Sequence, residues 1–181
     1  MGQFKRARGP VMEYEVKKLK EWQGMDGYGC HGEIHHLTLG PVANFRDEGS
    51  GGGLWPEAWY NHKTGKHCHE DYKKFVEWAD AHPVLDVIWK EWGFTPSGNS
   101  HADTVVEFLM MEHKIDKEIR KGYLVYQLPG QSLSFCGAKT GRKKTKYSVD
   151  NLEWLKKVEP TAICRNCEDP EWVITGIKEQ A

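Results

Sequence analysis

Apolar residues recur along this chain at two spacings, and each spacing predicts a different element. Between Val11 and Gln23, Met12, Val16, Leu19 and Trp22 fall three or four apart, with Glu13, Lys17, Lys18 and Lys20 between them. That period predicts a first helix, broken by Gly24, Gly27 and Gly29. Glu33 to Leu39 alternates and predicts a strand, with Gly40-Pro41 as its stop. Asn44 to Gly53 (NFRDEGSGGG) predicts a polar surface loop, and the aromatic-rich run Leu54 to Tyr60 a second strand. After His69 the helical period returns, with Tyr72, Phe75, Val76 and Ala79 on one face and Lys73, Lys74 and Glu77 off it. Pro83 ends that helix or starts another, in which Leu85, Ile88, Trp89 and Trp92 form the apolar face.

Gly93 to Ser100 (GFTPSGNS) collects Gly, Pro, Ser and Asn and predicts a linker, dividing the chain into 1-95 and 96-181. Ser100 and Asp103 then cap a long helix running to Lys121. Its buried face is Val105, Phe108, Leu109, Ile115 and Ile119, and Gly122 stands at its C′ position. Tyr123–Leu128 and Ser132–Cys136, joined through Pro129-Gly130, predict a β-hairpin. Ser148 to Val158 predicts a short helix with Leu152 and Leu155 inward, and Ala162-Ile163 and Trp172–Ile177 two last strands. The class expected is α+β.

Composition narrows the setting. A chain of 181 residues with eight tryptophans builds a real core. The net charge of −1 does not announce a nucleic-acid binder, so that function needs a local basic patch. Five cysteines are an odd number and include Cys164 and Cys167, which points to reduced thiols and metal in a cytoplasmic setting. MGQFKRARGPV has no apolar run behind its positive charge, so no signal peptide is expected, and no stretch is apolar enough to span a membrane.

Candidate chemistry lies in two short segments. Cys30 to Leu39 (CHGEIHHLTL) and Asn61 to His69 (NHKTGKHCH) hold six of the nine histidines. Imidazole is the commonest metal ligand and titrates near neutral pH. Adjacent histidines on a strand, then an asparagine, then a histidine opening a helix, resemble the HNH (His-Me finger) endonucleases over about residues 32-80. The resemblance implies a ββα fold holding one divalent cation, Mg or Zn. By position, His35 and His69 would be metal ligands, His36 the general base and Asn61 the residue that orients it. It departs from the family in its cysteines, only Cys30 and Cys68 standing where many relatives carry two CxxC pairs. The gap from Asn61 to His69 is one residue short, and the His36–Asn61 loop is long.

Two other readings use the same residues. His36-Leu37-Thr38 resembles the HxT signature of the two-histidine phosphoesterases, which act on RNA phosphates without metal; the second signature is approached only by His101-Ala102-Asp103-Thr104. A structural zinc on Cys30, His67, Cys68 or His69 would instead stabilise the fold and catalyse nothing.

In the second half, Cys136-Gly137 and Cys164-Arg165-Asn166-Cys167 resemble the small Cys-Gly…CxxC zinc domains of phage proteins. The resemblance implies a structural zinc on Cys136, Cys164 and Cys167 in a zinc-ribbon-like module. Tyr123 stands where the family's histidine is expected, leaving the fourth ligand open between His113 and His101. Between those cysteines KTGRKKTK places Lys139, Arg142, Lys143, Lys144 and Lys146 without an acid, a candidate phosphate contact. The expectation is a metal-dependent nuclease with nucleic acid as partner, DNA ahead of RNA. The alternatives are the HxT phosphoesterase and a non-enzymatic, zinc-stabilised binding protein of phage type.

Overall fold

Tyr14 and Val16 are buried, whereas Glu15 between them is half-buried and Lys17 is exposed. That period of two belongs to a strand. In the computed structural model Tyr14–Gln23 is β1, not the helix that the spacing predicts. The structure describes residues 13–23, 27–49, 54–61, 63–81, 101–127, 136–137, 139–140 and 143–166. The helical spacing is produced by a β-bulge. Lys17 pairs with Glu33 and Lys20 with His31, so two residues of β1 oppose one of its partner, and Lys18 there has φ 53°. The extra residue carries Trp22 to the face opposite Val16, and the spacing Val16, Leu19, Trp22 then mimics a helix.

The partner strand β2 spans Tyr28–His36, so it starts earlier than expected and takes in Gly29. Leu37, Thr38 and Leu39 form a turn, and Gly40-Pro41 opens β3, Gly40–Asp47, instead of stopping a strand. Asn44 to Asp47, expected in a loop, therefore lies in β3. Its inward positions Ala43 and Phe45 hold it against β2, whatever the polarity of the residues beyond. The expected strand near Leu54 is present as β4, Trp55–Ala58. The four strands form one antiparallel sheet in chain order.

Two more short strands, β5 (Tyr60–Asn61) and β6 (Lys66–His67), form a hairpin leading into helix α1, His69–Asp80. Glu70 and Asp71 favour its positive end. Phe75 and Ala79 are fully buried, as their spacing predicts. Phe75 meets Tyr14 edge-on at 5.1 Å, and the Tyr72 hydroxyl donates to the Pro56 carbonyl at 2.9 Å, so α1 covers the Tyr14 face of the sheet. Ile34, Phe45 and Phe75 are almost wholly buried there, each worth roughly 1.5–3 kcal/mol over exposure. Gly32 makes room for this packing, since a Cβ on it would stand 2.5 Å from the Phe45 ring.

By internal contacts the described residues divide into one unit up to Met110 and a second from Met111. Helix α2, His101–Arg120, crosses that division. Its end follows the expected signal. Gly122 has φ 76° and its N–H donates to the Ile119 carbonyl, while the Tyr123 N–H reaches that of Glu118, a Schellman closure. In the second unit β7 (Val125–Gln127) lies between β8 (Cys136–Gly137) and β11 (Ile163–Cys164), all antiparallel. Lys139–Thr140 (β9) pairs with Lys143–Lys144 (β10). Helix α3, Val149–Val158, is capped by the Ser148 hydroxyl, which accepts from the Asn151 N–H at 3.2 Å. Leu124, Leu155, Ala162 and Cys164 form its core with Tyr126, Tyr147 and Leu152.

The mixed α+β class is therefore observed. No helix among the described residues is long and apolar enough to cross a membrane. The helix expected after Pro83, the linker at 93–100, the Pro129-Gly130 turn and the strand at 172–177 lie outside the described residues.

Candidate functional site

Neighbouring residues of a strand point to opposite faces of its sheet. His36 stands on the face that α1 covers, its ring 5.1 Å from Tyr14 and edge-on to it. His35 stands on the other, outer face, where its Nε2 is 2.7 Å from a Glu33 carboxylate oxygen. Lys18 donates to the second oxygen of Glu33 at 2.9 Å. Partial burial alone would raise the Glu33 carboxyl, but these two hydrogen bonds and the neighbouring charges hold it below its ordinary value. His35 is thus turned away from α1, whose first residue is His69.

His36 is built into the β2–β3 turn. The N–H groups of Thr38 and Leu39 both donate to its Nδ1 at 3.2 Å, and the Thr38 hydroxyl lies 3.0 Å from the same atom. A backbone N–H only donates, so Nδ1 is an acceptor and the neutral ring carries its proton on Nε2. The basic lone pair that a general base needs is therefore occupied by the turn. The same contacts absorb the His-x-Thr pair of the phosphoesterase reading. Asn61 also serves a turn. Its Oδ1 accepts from the N–H groups of Lys63 (2.9 Å) and Thr64 (3.2 Å), and its backbone carbonyl accepts from Gly65, which has φ 69°.

His69, exposed at the start of α1, stacks on His67 with ring centroids 4.9 Å apart and planes 14° from parallel. His67 in turn packs on Tyr60 at 4.5 Å. Imidazole lone pairs lie in the ring plane, so two nearly parallel rings do not converge on one ion. Cys68, the residue before α1, is half-buried and makes no side-chain cap. Cys30 is buried on the α1-covered face, opposite to His31. Among the described residues no three His, Cys, Asp or Glu side chains gather as a metal site.

In the second unit, register places Cys136 and Cys164 on either side of Tyr126, two strand spacings or about 10 Å apart. Cys164 is buried in the apolar cluster with Leu124 and Leu155. Cys167 and Arg142 lie outside the described residues, and Lys139 and Lys143 are placed by backbone only, on β9 and β10. Lys144 and Lys146, both exposed, reach to the end of α2. Lys144 pairs with the Glu118 carboxylate, and Lys146 donates to the Lys121 carbonyl at 2.8 Å while standing 4.1 Å over the Tyr123 ring. Against the effect of burial, hydrogen bonds from Lys121 and Lys144 lower the Glu118 carboxyl. Asn166, inside the CxxC segment, accepts from the Val125 N–H and donates to the Tyr123 carbonyl, both at 2.7 Å, extending the edge of β7.

A different constellation was not visible in the linear sequence. Register aligns Lys20, His31, Arg46 and Trp55 in one row across β1, β2, β3 and β4 on the outer face. Trp22 lies beside that row, its indole over Gly29 and its ring 5.6 Å from that of His31. Lys20 and His31 are exposed, Arg46 retains 68% and Trp55 67% exposure. These residues come from four segments spread over residues 20 to 55, so only strand pairing reveals the row.

Compared with known proteins, the chain matches no protein-family model, no curated protein and no solved structure. The HNH, phosphoesterase and zinc-domain resemblances rest on their short motifs alone.

Proposed function

We propose that this chain binds nucleic acid and holds it without cutting it. The observation that carries the reading is the outer row Lys20–His31–Arg46–Trp55 with Trp22 beside it. Cations that meet phosphate and aromatic faces that meet bases are the two components of a nucleic-acid surface. The local cations matter more than the net charge of −1, because contact is made by one face. The hydrogen bonds of His36 and Asn61 favour binding over hydrolysis, since both side chains are committed to turns.

Metal-dependent phosphodiester hydrolysis is the second reading, and the Glu33–His35 pair favours it. A carboxylate on one ring nitrogen is the usual support of a histidine that ligates metal through the other. That reading needs a base other than His36.

The test is a labelled DNA and RNA oligonucleotide set incubated with the protein and Mg²⁺ or Zn²⁺, read for both retention and cleavage. Salt-dependent retention with intact oligonucleotide is expected. Cleavage that is lost with EDTA would replace the binding reading by the nuclease. Absence of retention on every oligonucleotide would end it.

A further inference from the structure

We infer that the ligand of the outer face is a single strand, laid across the four strands of the sheet with its bases stacked on Trp22 and Trp55. The inference rests on the nucleic-acid reading above and adds the form of the ligand and the residues that hold it.

Three features of the face favour a single strand over a duplex. The first is its width. The row runs from β1 to β4, three strand spacings or about 14 Å, whereas the major groove is about 12 Å wide and admits a helix or a two-stranded ribbon. The second is the exposure of its aromatic rings. Trp55 is 67% and Trp22 39% exposed, and a duplex, with its bases turned inward, offers these rings no base faces to stack on. The third is its charge. Lys17 pairs with Glu15, Lys18 with Glu33, and Arg46 with Glu48 at 3.4 Å on the rim of the face. Within the row the cations are Lys20 and Arg46, the latter shared with Glu48, a charge thin for a duplex held through its phosphates and sufficient for a strand held by stacking.

Gly29 adds a local reason for the platform. A Cβ there would stand 2.5 Å from the Trp22 ring, so the absence of a side chain lets the indole lie on the sheet with one face toward solvent. His31, between Trp22 and Arg46 on this face, continues the aromatic surface. At about 3.4 Å per stacked nucleotide, a span of about 14 Å accommodates roughly four nucleotides.

The experiment compares a labelled single strand of about 16 nucleotides with a blunt duplex of the same sequence, by anisotropy. The proteins are the wild type, Trp55→Ala, Trp55→Phe, the double variant Lys20→Ala/Arg46→Ala, and Trp154→Ala as a control in the other unit. The expected result is tighter binding of the single strand, weakened roughly five- to 150-fold by Trp55→Ala and largely kept by Trp55→Phe. Two phosphate contacts set a log–log salt slope of about −1.4, which the double variant brings toward zero. Trp154→Ala leaves affinity unchanged. DNA and RNA strands run in parallel decide between those two sources. Equal or preferential binding of the duplex, or indifference to Trp55→Ala in a protein that melts like the wild type, overturns the single-strand inference and leaves the nucleic-acid reading standing. Failure to bind either form removes both.

Discussion

The indole of Trp22 occupies the space above Gly29 where a side chain would stand. The two residues are paired across β1 and β2, and the contact faces outward. Trp22 therefore contributes an exposed ring and, at the same time, packs β1 on β2 one pair before the ladder ends at Gln23 and Tyr28.

Gly29→Ala separates those roles. Its new Cβ would meet three ring atoms of Trp22 at 2.5–2.6 Å, so the indole must leave the sheet. A stability loss of about 1–3 kcal/mol is expected from the overpacking, with a red shift in tryptophan emission. Denaturant melts followed by fluorescence check both. An unshifted spectrum would show that the ring was not seated there.

The β2–β3 turn makes a second expectation. If His36 acts as a cap, its value lies in the acceptor it offers to the Thr38 and Leu39 N–H groups. His36→Ala is expected to lower stability by about 1 kcal/mol, and His36→Asn, which keeps a side-chain acceptor, by less. Oligonucleotide affinity is expected to stay near wild type in both. A general base would give the opposite pattern, with hydrolysis lost equally in Ala and Asn at unchanged stability.

Glu118 makes the acid limb of the stability curve testable. Its carboxyl is held below the usual value by Lys121 and Lys144. The unfolded state then binds a proton more readily than the native state. The contribution is present above the ordinary carboxylate value of about 4.3 and is lost as pH falls through the lower native value. Glu118→Gln is expected to be less stable than wild type at pH 7, and the difference to shrink as pH falls below about 4. Urea melts at several pH values check it; a constant difference would mean that the carboxylate charge is not what holds Lys144.

The parts of this protein that the sequence alone determined are those governed by residues close together in the chain. Helix α1 follows from Phe75 and Ala79, α3 from the Ser148 cap with Leu152 and Leu155, and the end of α2 from Gly122. Each depends on a side-chain period or a cap within one or two turns. The antiparallel partnership of β7 with the segment at Cys136 was legible for a related reason, two short β-prone runs on either side of a Pro-Gly turn signal.

Tertiary structure decided what pairs across strands. Only the bulge at Lys17–Lys20 makes a helical spacing into β1, and only the partnership with β2 and β4 keeps Asn44 to Asp47 extended. Alternation along β2 then sends His35 outward to Glu33 and His36 inward to Tyr14, dividing a pair that reads as one site in the sequence. The same pairing collects Lys20, His31, Arg46 and Trp55 from four segments into one row. The physical reason is that a strand gains its partners through backbone hydrogen bonds to distant residues. The face on which a side chain appears is set by register, which local composition does not encode.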